Sequence, residues 1–184
     1  SGRSHPSLAD DVATALGTNL VPTEYRTFAS GEILTRFEVS IRGCDLFLIQ
    51  SFGPPVNEWM MELLIMLDAA KRASAKRITV VAPYFPYSRQ DKKGRGREPI
   101  SARLVADLVK TAGADRVMSV DLHAAQIQGF FDGPVDHLFA KPVLLEYFEE
   151  NLSPEDRAKL TVVSPDTGRV RVADTWSDSL GAPL

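Results

Sequence analysis

Apolar residues switch between two periods along this chain, and each switch marks an element. Leu8, Val12 and Leu16 recur at helical spacing behind Pro6, and Gly17 can take a left-handed stop, so a short amphipathic helix opens the sequence. An extended segment begins near Leu20. Ile33, Thr35, Phe37 and Val39 then alternate with Leu34, Arg36 and Glu38, which is the period of a strand. Residues 45–50 make a second, more apolar strand beyond the turn Ser40-Ile41-Arg42-Gly43. Over residues 57–75 the helical period returns, with Asn57 as N-cap and Met61, Leu64, Ile65 and Leu67 to Ala69 as a broad buried face.

From residue 77 strand and helix alternate. The pattern predicts a strand over 77–82 and a helix over 101–112, capped by Ser101, ended by Gly113 and lined inside by Leu104, Val105, Leu108 and Val109. A strand over 116–121 follows, then a helix entered through Pro142 and ending at Asn151, a strand over 160–164, and a helix over 168–180 closed by Gly181. Such alternation predicts an α/β fold, a parallel sheet flanked by helices. Ala182 to Leu184 read as the start of a further strand, and a helix stands almost at the amino end where a strand is expected. Both ends therefore read as truncated.

Composition narrows the function classes. The net charge of -3 over 184 residues gives no reason to expect a nucleic-acid or membrane-surface partner for the whole molecule. No apolar run reaches the roughly 18 residues of a membrane span, and the opening SGRSHPSLADD lacks the apolar stretch of a secretion signal, so a cytoplasmic location is expected. Cys44 is the single cysteine, which excludes an intrachain disulfide and a cysteine-rich zinc cluster. Placed at the start of a strand, it reads as buried and inert.

Against this background the segment from Tyr84 to Pro99 stands out, because Arg89, Lys92, Lys93, Arg95 and Arg97 crowd directly behind the strand 77–82. Ligands of open α/β sheets collect beyond the carboxyl ends of the strands, where cations and free backbone amides favour phosphate. A nucleic-acid groove would interleave aromatic residues for stacking, and none lies between Ser88 and Pro99. Two further polar clusters follow predicted strands: Asp121 to Gln126, and Ser164 to Gly168. All three are expected on one edge of the sheet. Cations for phosphate, His123 and Asp166 for a divalent ion, and groups to orient a nucleophile are what phosphoryl transfer requires. Asp166 also reads as a helix N-cap. Phe130 and Phe131 read as packing, and Met60, Met61 and Met66 as helix core or subunit contact. His5 and His137 carry no signal.

The runs SRQDKKGRGREPISARL, VDLHAAQIQGFFD, RGCDLFLIQS with PVNEWMMELLIMLDAAKRASAKRI, and VVSPDTG together resemble the ribose-phosphate pyrophosphokinase (phosphoribosyl-pyrophosphate synthetase) family across essentially the whole chain. The resemblance implies a phosphoribosyltransferase-like fold, with a first domain over 1–145 and the incomplete start of a second over 146–184. It implies an ATP-dependent diphosphokinase that moves the diphosphoryl group of ATP to the anomeric hydroxyl of ribose 5-phosphate with Mg²⁺, giving 5-phosphoribosyl 1-diphosphate and AMP. Carried over residue by residue, Arg89, Gln90 and Asp91 match ATP contacts, and His123 and Asp166 match the magnesium-linked pair. Phe28, Ser30, Gly31 and Glu32 match a turn that a neighbouring subunit lends to the ATP site, so a homo-oligomer, a hexamer in the family, is implied. The family usually has Asp where Ser30 stands. Ser40, Arg42, Arg95 and Arg97 match segments that bind regulatory phosphate or ADP between subunits. The family's catalytic Lys/Arg loop and its sugar-phosphate loop are not among these residues, so no catalytic residue is assigned and the 184 residues alone are expected to be inactive. The competing readings are a non-catalytic regulatory subunit of the synthetase and a simple nucleotide-binding or nucleic-acid-binding module.

Overall fold

The structure, a computed structural model, describes residues 1–184, which divide into two compact units, Ser1–Leu138 and Phe139–Leu184. Sequence and resemblance place the division later, after residue 145.

The first unit opens with α1 (Pro6–Ala15), whose N-cap is His5, accepting the Leu8 N–H at Nδ1. Its buried stripe is Ala9 and Ala13, not the expected Leu8-Val12-Leu16 row; Leu16 is exposed. Small residues let this helix approach closely, which leucines in that row would prevent. An antiparallel ribbon follows, β1 (Thr23–Thr27) and β2 (Ile33–Phe37), paired from Thr23↔Phe37 to Thr27↔Ile33.

The main sheet holds four parallel strands in the order β3 (Asp45–Ile49), β4 (Arg77–Ala82), β5 (Arg116–Val120) and β6 (Val135–Leu138). In β4, Ile78, Thr79 and Val80 are buried in succession, as expected of a parallel strand covered on both faces. The crossovers are α2 (Val56–Arg72) and α3 (Ser101–Ala112). Leu63, Met66 and Leu67 from α2 and Val105 and Val109 from α3 join Leu46, Leu48, Ile78, Val80 and Val117 in one apolar core. Each large aliphatic side chain so buried contributes about 1.5–3 kcal/mol.

Several expectations change. The N-cap of α2 is Pro55 and Asn57 lies inside the helix, its Oδ1 accepting the Tyr87 hydroxyl instead of capping. Ile100 takes the N-cap position of α3, and Ser101 Oγ donates to Gln90 Oε1 at 2.6 Å. The buried faces are also rotated: Ala102 and Ala106 are buried, whereas Met61, Leu104 and Leu108 are exposed. Cys44 is exposed as well. β6 lies in a run too short for periodicity to reveal, and Phe131 is core as expected.

The second unit contains α4 (Lys141–Asn151), α5 (Pro154–Ala158), a 3₁₀ turn (Thr167–Arg169) and α6 (Val170–Leu180), closed by Gly181 at φ 62°. Phe148 meets Trp176 edge-on at 6.2 Å, and Lys141 Nζ lies 5.9 Å from the Trp176 ring centre. Residues 160–164 form no strand. Val162 N–H donates to Pro183 O at 2.8 Å, the one backbone hydrogen bond between the two segments expected to be strands. Without a ladder of such bonds a strand is not completed.

Candidate functional site: the carboxyl edge of the parallel sheet

β4 and β5 run parallel with Val80 beside Val117, so the segments that follow them emerge at the same edge. The first is the basic segment. Arg89, Lys92, Lys93, Arg95 and Arg97 are all exposed, and no ion pair neutralises any of them. Glu98 shapes the tail instead: its Oε2 accepts the backbone N–H of Gly94 at 2.7 Å and of Arg95 at 2.9 Å. Arg89 and Gln90 line two clefts of 460 Å³ each, one walled by Pro55, Asn57, Tyr84 and Tyr87, the other by Lys92, Gly94, Glu98 and Pro99. Gln90 is held from behind by Ser101, which ties the segment to the first turn of α3.

The second segment leaves β5 through Asp121, whose φ of 45° is left-handed, and continues through His123 into the 3₁₀ turn Ala125–Phe130. Tyr87 and Arg97, at φ 58° and 70°, are left-handed too. Non-glycine residues rarely hold this conformation unless surrounding contacts impose it, and such residues collect at ligand sites. A side-chain hydrogen bond joins the two segments directly: Gln126 Nε2 donates to Asp91 Oδ2 at 2.8 Å. Asp91 is buried, so its carboxylate faces this partner from the inner side of the basic segment. His123 is exposed at the edge.

The remaining candidates belong to other segments of the chain. Asp166 is expected to follow a strand of the same sheet; it follows no strand and belongs to the second unit. It takes the N-cap position of the 3₁₀ turn Thr167–Arg169, as expected, but its side chain makes no cap bond and is exposed. Phe28, Ser30, Gly31 and Glu32 form the exposed tip of the β1–β2 ribbon, closed by Phe28 N–H donating to Glu32 O at 2.9 Å, with Gly31 at φ 88°. Arg26 stacks over Phe28, and Ser30 Oγ donates to Glu32 Oε2 at 2.7 Å. Ser40 and Arg42 precede the amino end of β3, whereas Arg95 and Arg97 follow the carboxyl end of β4. The parallel pairing of β3 with β4 puts these two groups beyond opposite ends of the sheet. Sequence reasoning gives no such supporting role to Gln126, Ser101 and Glu98, which hold Asp91, Gln90 and the backbone of Gly94 and Arg95 in place.

Fold and site together define an α/β protein with a cationic carboxyl edge on a parallel sheet. Residues 1–113 match the model of the N-terminal domain of ribose phosphate pyrophosphokinase. The whole chain is 65% identical to the ribose-phosphate pyrophosphokinase of Streptomyces coelicolor, of which it covers 56%, and 59% identical over 185 aligned positions to that of Corynebacterium glutamicum, again covering 56%. The crystal structure of phosphoribosylpyrophosphate synthetase from Mycobacterium smegmatis superposes with a TM-score of 0.94 at 60% identity, over all of this chain and 61% of that one. The chain belongs to the ribose phosphate pyrophosphokinase family. It spans little more than half the length of the curated relatives it matches.

Proposed function

We propose that this chain supplies the nucleotide-binding portion of a ribose-phosphate pyrophosphokinase: ATP phosphates are taken up by Arg89 and the neighbouring loop cations, with Gln90 beside them. The observation that carries this reading is the pair of clefts meeting at Arg89 and Gln90, on a segment whose cations lack carboxylate partners. Phosphate there exchanges water for charge-assisted hydrogen bonds from guanidinium and ammonium groups. Ser101 and Asp91 fix the segment from its inner side, the first through Gln90 and the second through Gln126.

The donors present fit magnesium carried by a nucleotide. Nowhere do three or more His, Cys, Asp or Glu side chains gather into a metal cage. Mg²⁺ bound with ATP takes most of its ligands from phosphate and water and needs only one or two from protein; in the first unit the exposed His123 is the side chain that would hold it, and Asp166, exposed in the second unit, is the other residue that the family resemblance offers. A bound ion would supply charge neutralisation on the ATP phosphates. In a homo-oligomer, the tip Phe28 to Glu32 is the element that each subunit would lend to its neighbour's nucleotide. In the complete protein the reaction is diphosphoryl transfer from ATP to ribose 5-phosphate; the 184 residues alone are expected to bind MgATP without forming product.

Calorimetric titration with MgATP tests the assignment. Arg89→Ala should weaken binding by about 1.5–3 kcal/mol, the worth of a charged hydrogen bond. Unchanged affinity in that variant would remove Arg89 from the site.

A further inference from the structure

We infer that His137, on β6, is the positioning residue for the turn that carries His123; the inference deepens the proposed function and rests on His123 serving the metal-nucleotide complex. The turn leaves β5 with Asp121 in the left-handed region, a conformation that must be held from outside. Two bonds from β6 hold it. Asp121 N–H donates to Leu138 O at 2.9 Å, and Leu122 N–H donates to His137 Nε2 at 3.0 Å. Any residue at 138 supplies the first acceptor, because it is backbone. The second exists only because an imidazole stands at 137.

That geometry selects one tautomer. A backbone N–H can be accepted only by a ring nitrogen that keeps its lone pair, so Nε2 is bare and the proton of the neutral ring sits on Nδ1. Nδ1, carrying the proton, lies 3.4 Å from the Gln128 carboxamide nitrogen, which donates to Ala125 O at 3.1 Å; two donors face each other there, so this approach is a packing contact and the hydrogen bond of the ring is the one to Leu122. The half-buried ring therefore touches the segment near both its ends, residues 122 and 128. β6 anchors the ring in turn, with His137 paired beside Ser119 of β5. His123 is the exposed member of this clamped segment, so its imidazole is presented to the edge from a backbone with little freedom.

Imidazole NMR on the ¹⁵N-labelled 184-residue chain, with the variants His137→Leu and His137→Gln, tests this. In the unaltered protein at neutral pH, the His137 ring should show a protonated Nδ1 and a bare Nε2; the opposite tautomer overturns the inference. His137→Leu removes the acceptor, and exchange of the Leu122 amide should accelerate about two- to tenfold, the ratio expected for one lost neutral hydrogen bond. His137→Gln can present Oε1 at similar reach and should restore slow exchange. Unchanged exchange in His137→Leu, or no restoration in a folded His137→Gln, refutes the role. Mn²⁺ with ATP serves as the metal probe: it should broaden the His123 ring signals in the unaltered protein, less in His137→Leu, and again in His137→Gln. If Mn²⁺ with ATP leaves His123 unaffected in the unaltered chain, the metal assignment fails by itself, while tautomer and amide exchange still decide the role of His137. Should His137→Leu fail to fold, the tautomer and the Gln variant carry the decision.

Discussion

Glu62 offers the sharpest test of how the first unit is held together. It lies on α2 with no solvent exposure, and its carboxylate accepts three hydrogen bonds: Arg3 backbone N–H at 2.7 Å, Arg3 Nε at 2.6 Å and Gln50 Nε2 at 3.1 Å. Glu62→Gln keeps the shape but turns one acceptor into a donor, which must then face a donor of Arg3 or Gln50, and it strips the guanidinium of its counter-charge. Removing one partner of a buried pair costs about 3–5 kcal/mol. The Arg3 side chain keeps 31% exposure, so water recovers some of that loss and about 2–4 kcal/mol is expected. At about 2–4 °C per kcal/mol for a chain of this size, the calorimetric transition of the first unit should fall by about 5–15 °C. A second signal comes from Tyr25, whose phenol is pushed up to about 12, by burial first and then by the charge of Glu62. A phenol raised in the folded state stabilises the fold below its ordinary value near 10, and that contribution disappears as pH rises toward 12. Absorbance titration should find Tyr25 ionising at lower pH in Glu62→Gln. A transition unmoved within about one degree, with Tyr25 titrating as before, would refute the reasoning.

Two other outcomes follow from named contacts. Gln126→Ala leaves the buried Asp91 carboxylate without this donor, so stability should drop by about 1.5–3 kcal/mol in urea titration and MgATP affinity should fall with it; an unchanged midpoint counts against the tie. Arg116 binds Asp136 through Nε at 2.5 Å and Nη2 at 2.6 Å, and those hydrogen bonds hold the Asp136 carboxyl below the ordinary aspartate range. A depressed carboxyl stabilises the fold above its ordinary value and loses that contribution as pH falls through the folded one, so the stability gap to Asp136→Asn should close in acid. A gap that stays constant with pH would show that the pair contributes nothing through charge.

Much of the core was legible because helices and strands announce themselves within a few residues. The strand 77–82 and the helix 101–112 match β4 and α3 at both ends, and the basic segment behind β4 lies at the carboxyl edge, as its position in the chain implied. The helix faces are less legible. Met61, Leu104 and Leu108 are as apolar as any core residue yet stand exposed, while Ala102 and Ala106 are buried. Periodicity detects an apolar stripe but not which side of it meets another element, and alanine fills the closest approaches because it is small. β6 escaped notice because four residues carry too little pattern, and with it went the significance of His137.

By itself the sequence determined the kinds of chemistry available: a cluster of cations without aromatic neighbours, a histidine after one strand, and an alternation that requires a parallel sheet. It also carried the family resemblance, because the motifs are contiguous runs. Tertiary structure decided which groups act on one another. It turned Asp91 inward to Gln126, drew Ser101 away from its cap to Gln90, set the Ser40 and Arg42 turn beyond the opposite end of the sheet from Arg95 and Arg97, and put His137 beneath the turn of His123. Helical and strand periods are local and survive in the linear chain. Hydrogen bonds such as Gln126 to Asp91 join residues 35 positions apart, and only the packing of β4, β5 and β6 brings such partners within reach.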